Sequence, residues 1–173
     1  MLEMEFALLI LRLVIGLLFM GHGLQKLFGW FGGHGLEATA GFFESLDMHP
    51  PQAWALIASL AETLGGLGLV LGFLTPIAAA AIIGVMLMAI IKVHWQHGLW
   101  VANNGMEYTL VNATIALVLG LAGPGAYALD TMLNLNYAMP LTFIVSLIVV
   151  ILGILASLVS GSFAGEPEAG MQN

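Results

Sequence analysis

Residues 6–26 read FALLILRLVIGLLFMGHGLQK. At about 20 apolar residues the run is long enough to cross the hydrocarbon core of a bilayer as a helix. Yet it carries Arg12 in its interior and ends in His22, Gln25 and Lys26 set among glycines. A charge inside a membrane costs on the order of 3 kcal/mol on insertion scales, so each one needs a partner, a route to the interface or a function. The stretch therefore decides the solvent of the chain and marks where its chemistry is to be sought.

The rest of the chain agrees. Hydrophobic residues make up 60% of the 173 and charged residues 8%, against about half and a quarter in a soluble domain. Mean hydropathy is +1.02. The fold class is all-α, an integral membrane helical bundle. Five spans of about 20 residues use nearly the whole length, which leaves no room for a second, soluble domain. They are expected at 6–28, 52–73, 76–95, 107–122 and 138–160, the fourth being short. Pro51, Pro76 and Pro140 sit at or just before a start, where a missing N–H costs nothing. The tight connection at 74–75 predicts an antiparallel hairpin of the second and third spans.

Between the first two spans, GWFGGHGLEATAGFFESLDMHPP is too polar to cross, and its apolar residues Leu36, Phe42, Phe43, Leu46 and Met48 have the spacing of a short interfacial helix. Residues 1–130 are thus expected to form a core with an interfacial segment at 29–51, residues 131–162 an additional C-terminal transmembrane helix, and residues 163–173 a disordered tail. The N-terminus, MLEMEF, carries acids where a signal peptide carries bases, and no A-x-A-like site follows, so the first span is expected to be retained. Loops 29–51 and 96–106 fall on one side of the membrane, here called face B, and the opposite side is face A. Arg12, Lys26 and Lys92 are the only bases and all lie within spans or at their ends, which leaves the positive-inside rule nothing to act on.

Composition also excludes chemistry. The chain has no cysteine, so thiol catalysis, disulfides and iron–sulfur ligation are not available to it, and a redox role needs a bound cofactor or a partner. The net charge of −7 is thinly spread and argues against nucleic acid and against docking on anionic headgroups. Gly32, Gly33 and Gly35 are not a phosphate loop, because no Lys-Ser/Thr pair follows and no strand precedes. His94 and His97 have a metal-compatible spacing only if a helix persists through Trp95, Gln96 and Gly98, so no metal site is expected. Haem between His22 and His94 has only equal depth to recommend it. The tryptophans near face B read as interfacial anchors and the methionines as packing.

At 100° per residue Arg12, Gly16, Phe19, His22, Gly23 and Lys26 share one face of the first helix. On the second, Glu62 shares a face with Ala55, Ala58, Ser59, Gly65, Gly66 and Gly72, a strip of small residues that admits a neighbouring helix. Depths counted from the span ends predict a buried ion pair between Arg12 and Glu62. A neutral pair that fixes register is the plainer account of it, and a proton-carrying Glu62 the functional one. At face B three segments deliver polar groups to one depth: His22, Gln25 and Lys26, then Lys92 and His94, then Asn103, Asn104, Glu107 and Tyr108. Snorkelling and capping account for them without a ligand. As a site, imidazole, ammonium and carboxylate together suit a quinone carbonyl or a small anion.

The runs LRLVIGLLFMGHGLQKLFGWFGGHGLEATAGFFESL, ASLAETLGGLGLVLGFLTPIAA and NNGMEYTLVNATIALVLGLAGPGAYALD resemble the DoxX family of small bacterial membrane proteins over about residues 8–130. The resemblance implies a four-helix transmembrane core in the bacterial inner (cytoplasmic) membrane and an association with redox chemistry, since members are linked to thiosulfate:quinone oxidoreduction or to partners in thiol and quinone stress. The family motifs G-H-G-x-x-K, A-E-x-x-G-G and G-x-E-Y fall on His22, Lys26, Glu62, Glu107 and Tyr108. The expected function is therefore that of a membrane subunit of a quinone-linked redox complex, with no covalently bound cofactor, a quinone as the candidate ligand, and other membrane or soluble redox subunits, or a second copy of the chain, as candidate partners. A non-catalytic scaffold for a partner and a small-molecule or proton-coupled transporter are the alternatives from other classes.

Overall fold

A computed structural model describes residues 2–164, with side chains through residue 160. Of the tail expected at 163–173, all but the first two residues lie outside the described residues, and those two continue the last helix. The order is α1 (Leu2–Phe28), α2 (Gly35–Ser45), α3 (Pro51–Leu71), α4 (Thr75–Ala89), α5 (Glu107–Ala122), the single turn α6 (Leu129–Met132) and α7 (Leu141–Ala164). Among the described residues there is no strand. Among the described residues, four stretches are long and apolar enough to cross a bilayer: α1, α3, Thr75–His97 and α7. At 16 residues α5 is shorter, but it runs from the face B loop to the face A connection and so traverses the bundle.

Local sequence explains the ends of these helices. Pro51 opens α3 and Pro76 lies in the first turn of α4, where the ring removes only an N–H that has no helical partner. Gly72, at φ 62, closes α3 in the left-handed conformation. The Phe73 amide then donates to the Gly68 carbonyl at 2.8 Å, the hydrogen bond that satisfies an orphan helix carbonyl. The predicted α3–α4 hairpin follows directly. At its other end α4 widens into a π turn, Ile90–His94, and then a 3-10 turn, Trp95–His97.

Helix α4 has no charged residue before Lys92, and a helix that is apolar all round belongs in the middle of a bundle. It does lie there: α3, α5 and α7 all pack against it, and Ala79, Ala80, Ile82 and Thr75 are almost wholly buried. Helix α1 packs on α3 instead, through glycines. A Cβ on Gly16 would stand 2.6 Å from the Gly66 carbonyl oxygen, so the two backbones touch, as close-packed membrane helices do. The outer surface carries exposed Leu17, Leu64, Leu121, Ile148 and Leu152, a lipid-facing coat that water would not tolerate as a contiguous patch. Helix α2 lies across face B, with Ala40 and Phe43 buried beside Met48 and Ala55, and Phe42 exposed.

Candidate functional site

The glycine contact sets the register of α1 against α3, and the register selects the ion pair. Gly16 stands against Gly66, Gly23 against Ser59 and Thr63, and Arg12 against Gly72. Arg12 is thus level with a residue ten positions, about 15 Å along the axis, beyond Glu62. Helical side chains also lean toward their own N-terminus. In antiparallel helices Arg12 leans toward face A and Glu62 toward face B, so the two diverge. Lys26, four residues past the level of Glu62, leans back onto it, and its Nζ donates to Glu62 Oε1 at 2.6 Å. The expected Arg12–Glu62 pair is therefore replaced by Lys26–Glu62.

Arg12 is completely buried and finds its partners at face A. Its Nη2 donates to the Tyr127 carbonyl at 2.6 Å, and the Asp130 carboxylate supplies the opposing charge at longer range. Asp130 is itself buried, with 1% exposure. It accepts from the Leu74 amide at 2.8 Å, the Thr75 amide at 2.9 Å and the Thr75 hydroxyl at 2.8 Å. A carboxylate from the distant turn α6 therefore caps the N-terminus of α4, an arrangement with both hydrogen-bond and dipole character. Sequence reading missed Asp130 because its cap lies more than fifty residues away in the chain.

Toward face B the helices part around a cavity of about 750 Å³, within the range of about 300–1,000 Å³ that holds drug-sized ligands. Its floor is α4, at Ala81, Gly84, Val85, Met88 and Ala89. One wall is α3, at Trp54, Ile57, Ala58 and Ala61, and the other is α7, at Val149, Val150, Gly153 and Ile154, while α2 covers the end with Ala38, Thr39, Phe42 and Phe43. Small residues on floor and walls make the space. The lining is apolar except at the face B end, where Gln25, Lys26, His34, Thr39 and Lys92 contribute polar atoms. Lys92, carried by the π turn, donates to the Leu46 carbonyl at 2.9 Å. Glu62 stands behind Lys26, 3% exposed, and its second carboxylate oxygen has no hydrogen-bond partner among the described residues.

The sequence-predicted face B residues divide between this cavity and the loop beside it. Gln25, Lys26 and Lys92 line the cavity. His22 does not; it pairs with the Gln25 side chain at 3.2 Å and sets its ring edge-on to Phe19. His94 donates from Nδ1 to the Asn104 carbonyl at 2.7 Å, and Glu107 accepts from the Val101 amide at 2.9 Å. Asn103 lies in the 3-10 turn Val101–Asn103, and Asn104 follows at φ 61. These four residues lie in or beside the 95–106 loop, which His94 and Glu107 tie down through the Asn104 carbonyl and the Val101 amide. Tyr108 is 47% exposed and also lies outside the cavity. The α7 wall escaped sequence reading, because α7 carries no charged residue to flag.

The DoxX family model matches residues 7–95, which run from Ala7 in α1 through the end of α4 and hold both partners of the Lys26–Glu62 pair. The chain belongs to the DoxX family. It is similar to the inner membrane protein YqjF of Escherichia coli (strain K12), at 30% identity over 129 residues that make up 73% of this chain and 91% of that protein. It is similar also to the inner membrane protein YphA of the same organism, at 33% identity over 129 residues, 71% of this chain and 87% of that protein. No solved structure matches the chain. With inner membrane relatives and four long apolar helices, this DoxX protein is a multi-pass inner membrane protein in contact with the lipid bilayer. In it the DoxX match supplies the floor, one wall and the polar end of the cavity, and α7, outside the match, supplies the other wall.

Proposed function

We propose that the protein is the membrane subunit of a quinone-linked redox complex and binds a quinone-like ligand in the cavity between α2, α3, α4 and α7. The observation that carries this reading is the pairing of a large apolar chamber with a polar end at which Lys26 is held by Glu62. A bound quinone supplies carbonyl groups that accept electrons and protons. Ammonium and amide groups, as on Lys26, Lys92 and Gln25, are donors suited to carbonyl oxygens, and a charge-assisted hydrogen bond strengthens as negative charge grows on the acceptor. Glu62, buried behind Lys26, holds the ammonium in place at the polar end of the cavity through its 2.6 Å ion pair. The chain has no cysteine, so electrons enter from a partner subunit with its own redox group.

The test is saturable quinone binding by the full chain reconstituted in bilayers. Wild type is expected to bind, and Lys26→Met to weaken binding about tenfold or more, the equivalent of one charge-assisted hydrogen bond. His22→Ala and Glu107→Gln, whose residues lie outside the cavity, are expected to leave affinity unchanged. No co-purified quinone together with no saturable binding overturns the reading. A scaffold subunit would instead give a stable partner complex whose activity survives Lys26→Met, and a transporter would give flux across proteoliposomes.

A further inference from the structure

Helices α3 and α7 both pack on α4, and neither packs extensively on the other. The cavity lies in the seam they leave. Ile57 on α3 and Val149 on α7 line it and are 53% and 63% exposed, so the cavity is open between them, along the seam. At Gly84 the floor is in firm contact with α7, since a Cβ there would stand 2.5 Å from Val150 Cγ1. At Gly153, one helical turn further on, a Cβ would meet no atom within 4 Å. The α7 wall is thus anchored at Val150 and hollow at Gly153.

We propose that α7 is a tail-binding wall: a ligand with a long isoprenoid chain passes laterally from the bilayer through the α3–α7 seam, and the chain fills the hollow at Gly153 while the head group meets Lys26. This rests on the quinone reading of the cavity. Around Lys26, though not around Lys92, which donates to the Leu46 carbonyl, the charge balance favours a neutral head over a phosphate. Lys26 is already neutralised by Glu62 at 2.6 Å, and the Glu62 carboxylate repels a phosphate approaching the same ammonium. The apolar lining then takes up a chain without leaving a polar group unpaired. Because α7 lies outside the 7–95 family match, selectivity for the chain is set by a part of the protein distinct from the part that meets the head.

The experiment compares two probes, a quinone bearing several isoprenoid units and the same ring bearing only a methyl group, on the full chain in bilayers. Gly153→Phe fills the hollow from a position with open space around it, and replacing glycine raises helix propensity, so folding is expected to persist. Gly153→Leu serves as a smaller filler. The proposal expects Gly153→Phe to weaken the long-tailed quinone about tenfold and Gly153→Leu to weaken it less, with the methyl quinone unchanged in both. Lys26→Met is expected to weaken both probes. If wild type binds the long-tailed quinone and Gly153→Phe leaves it within about twofold, the tail wall is wrong and the quinone reading stands. If wild type binds neither probe, the quinone reading falls and takes the wall with it. If a photoactivatable phospholipid labels the cavity-lining Val150 or Ile154 and the long-tailed quinone fails to displace it, a lipid acyl chain owns the seam and the proposal is overturned.

Discussion

Lys26 Nζ stands 2.6 Å from Glu62 Oε1, while Arg12 on the same helix turns away to the Tyr127 carbonyl. Four buried or half-buried charges are thereby divided between two ends of the bundle, Arg12 with Asp130 at face A and Lys26 with Glu62 toward face B. Each is tied down by a different helix contact, and the consequences can be measured separately.

Removing Lys26 leaves Glu62 buried without its counter-charge. Lys26→Met is expected to destabilise the bundle by about 3 kcal/mol, the low end for a broken buried pair, because Lys26 is 31% exposed. Glu62→Gln, which removes the charge and keeps the shape, is expected to cost less. The double variant should recover about 1–2 kcal/mol relative to the sum of the two, the coupling of residues in direct contact. Reversible unfolding in detergent micelles measures all three, and additive effects would show that the pair is not coupled.

Asp130 replaces a cap that α4 lacks of its own. Asp130→Ala is expected to cost about 1–3 kcal/mol, since the Leu74 and Thr75 amides lose their acceptor. Leu74 meanwhile sits at φ 50, a left-handed conformation that costs a side chain about 1–2 kcal/mol. Leu74→Gly is therefore expected to stabilise the protein by about 1 kcal/mol. Amide hydrogen exchange at the start of α4 should rise in the first variant and not in the second.

The α1–α3 contact is backbone against backbone, with no flexible side chain to yield. Gly66→Ala presses its methyl group on the α1 backbone at Met20 and Gly16 and is expected to cost about 1–3 kcal/mol by overpacking. Gly21→Ala, where a Cβ would meet nothing within 4 Å, is expected to stay within about 0.5 kcal/mol of wild type. Equal effects at the two positions would remove the close approach as the source of register.

The Tyr137 hydroxyl donates to Asp130 Oδ1 at 3.1 Å. Burial first, then this hydrogen bond and the Asp130 charge, raise its pKa above the usual 10. A phenol whose pKa is higher folded than unfolded contributes stability that is fully present below the unfolded value and is lost as pH rises through the folded one. Phenolate absorbance should show one tyrosine ionising late, and that component should vanish in Tyr137→Phe and move down in Asp130→Asn. A titration unchanged by Asp130→Asn would mean that the carboxylate does not act on the phenol.

Much of the architecture was legible along the chain. Hydropathy located the spans to within a few residues at most ends, prolines marked the starts of α3 and α4, and apolar spacing found the short helix α2. The small-residue face of α3 was visible too, and Gly66 does receive α1. The ion pair was misread because depth counted from span ends ignores how two helices slide along one another. His94, Asn104 and Glu107 were rightly placed together at face B, yet their polar atoms serve the loop that holds them rather than a shared pocket.

Sequence alone determined the solvent and the helices, because the free energy of moving a span into lipid is a sum over its own residues. Tertiary structure decided the partners and the cavity. Which charge meets Glu62 depends on which glycines dock, at 1.5 Å per residue and with a fixed lean of every side chain. Whether small residues on three helices enclose a chamber depends on where α7 comes to rest, and no local property of a helix without charges states that.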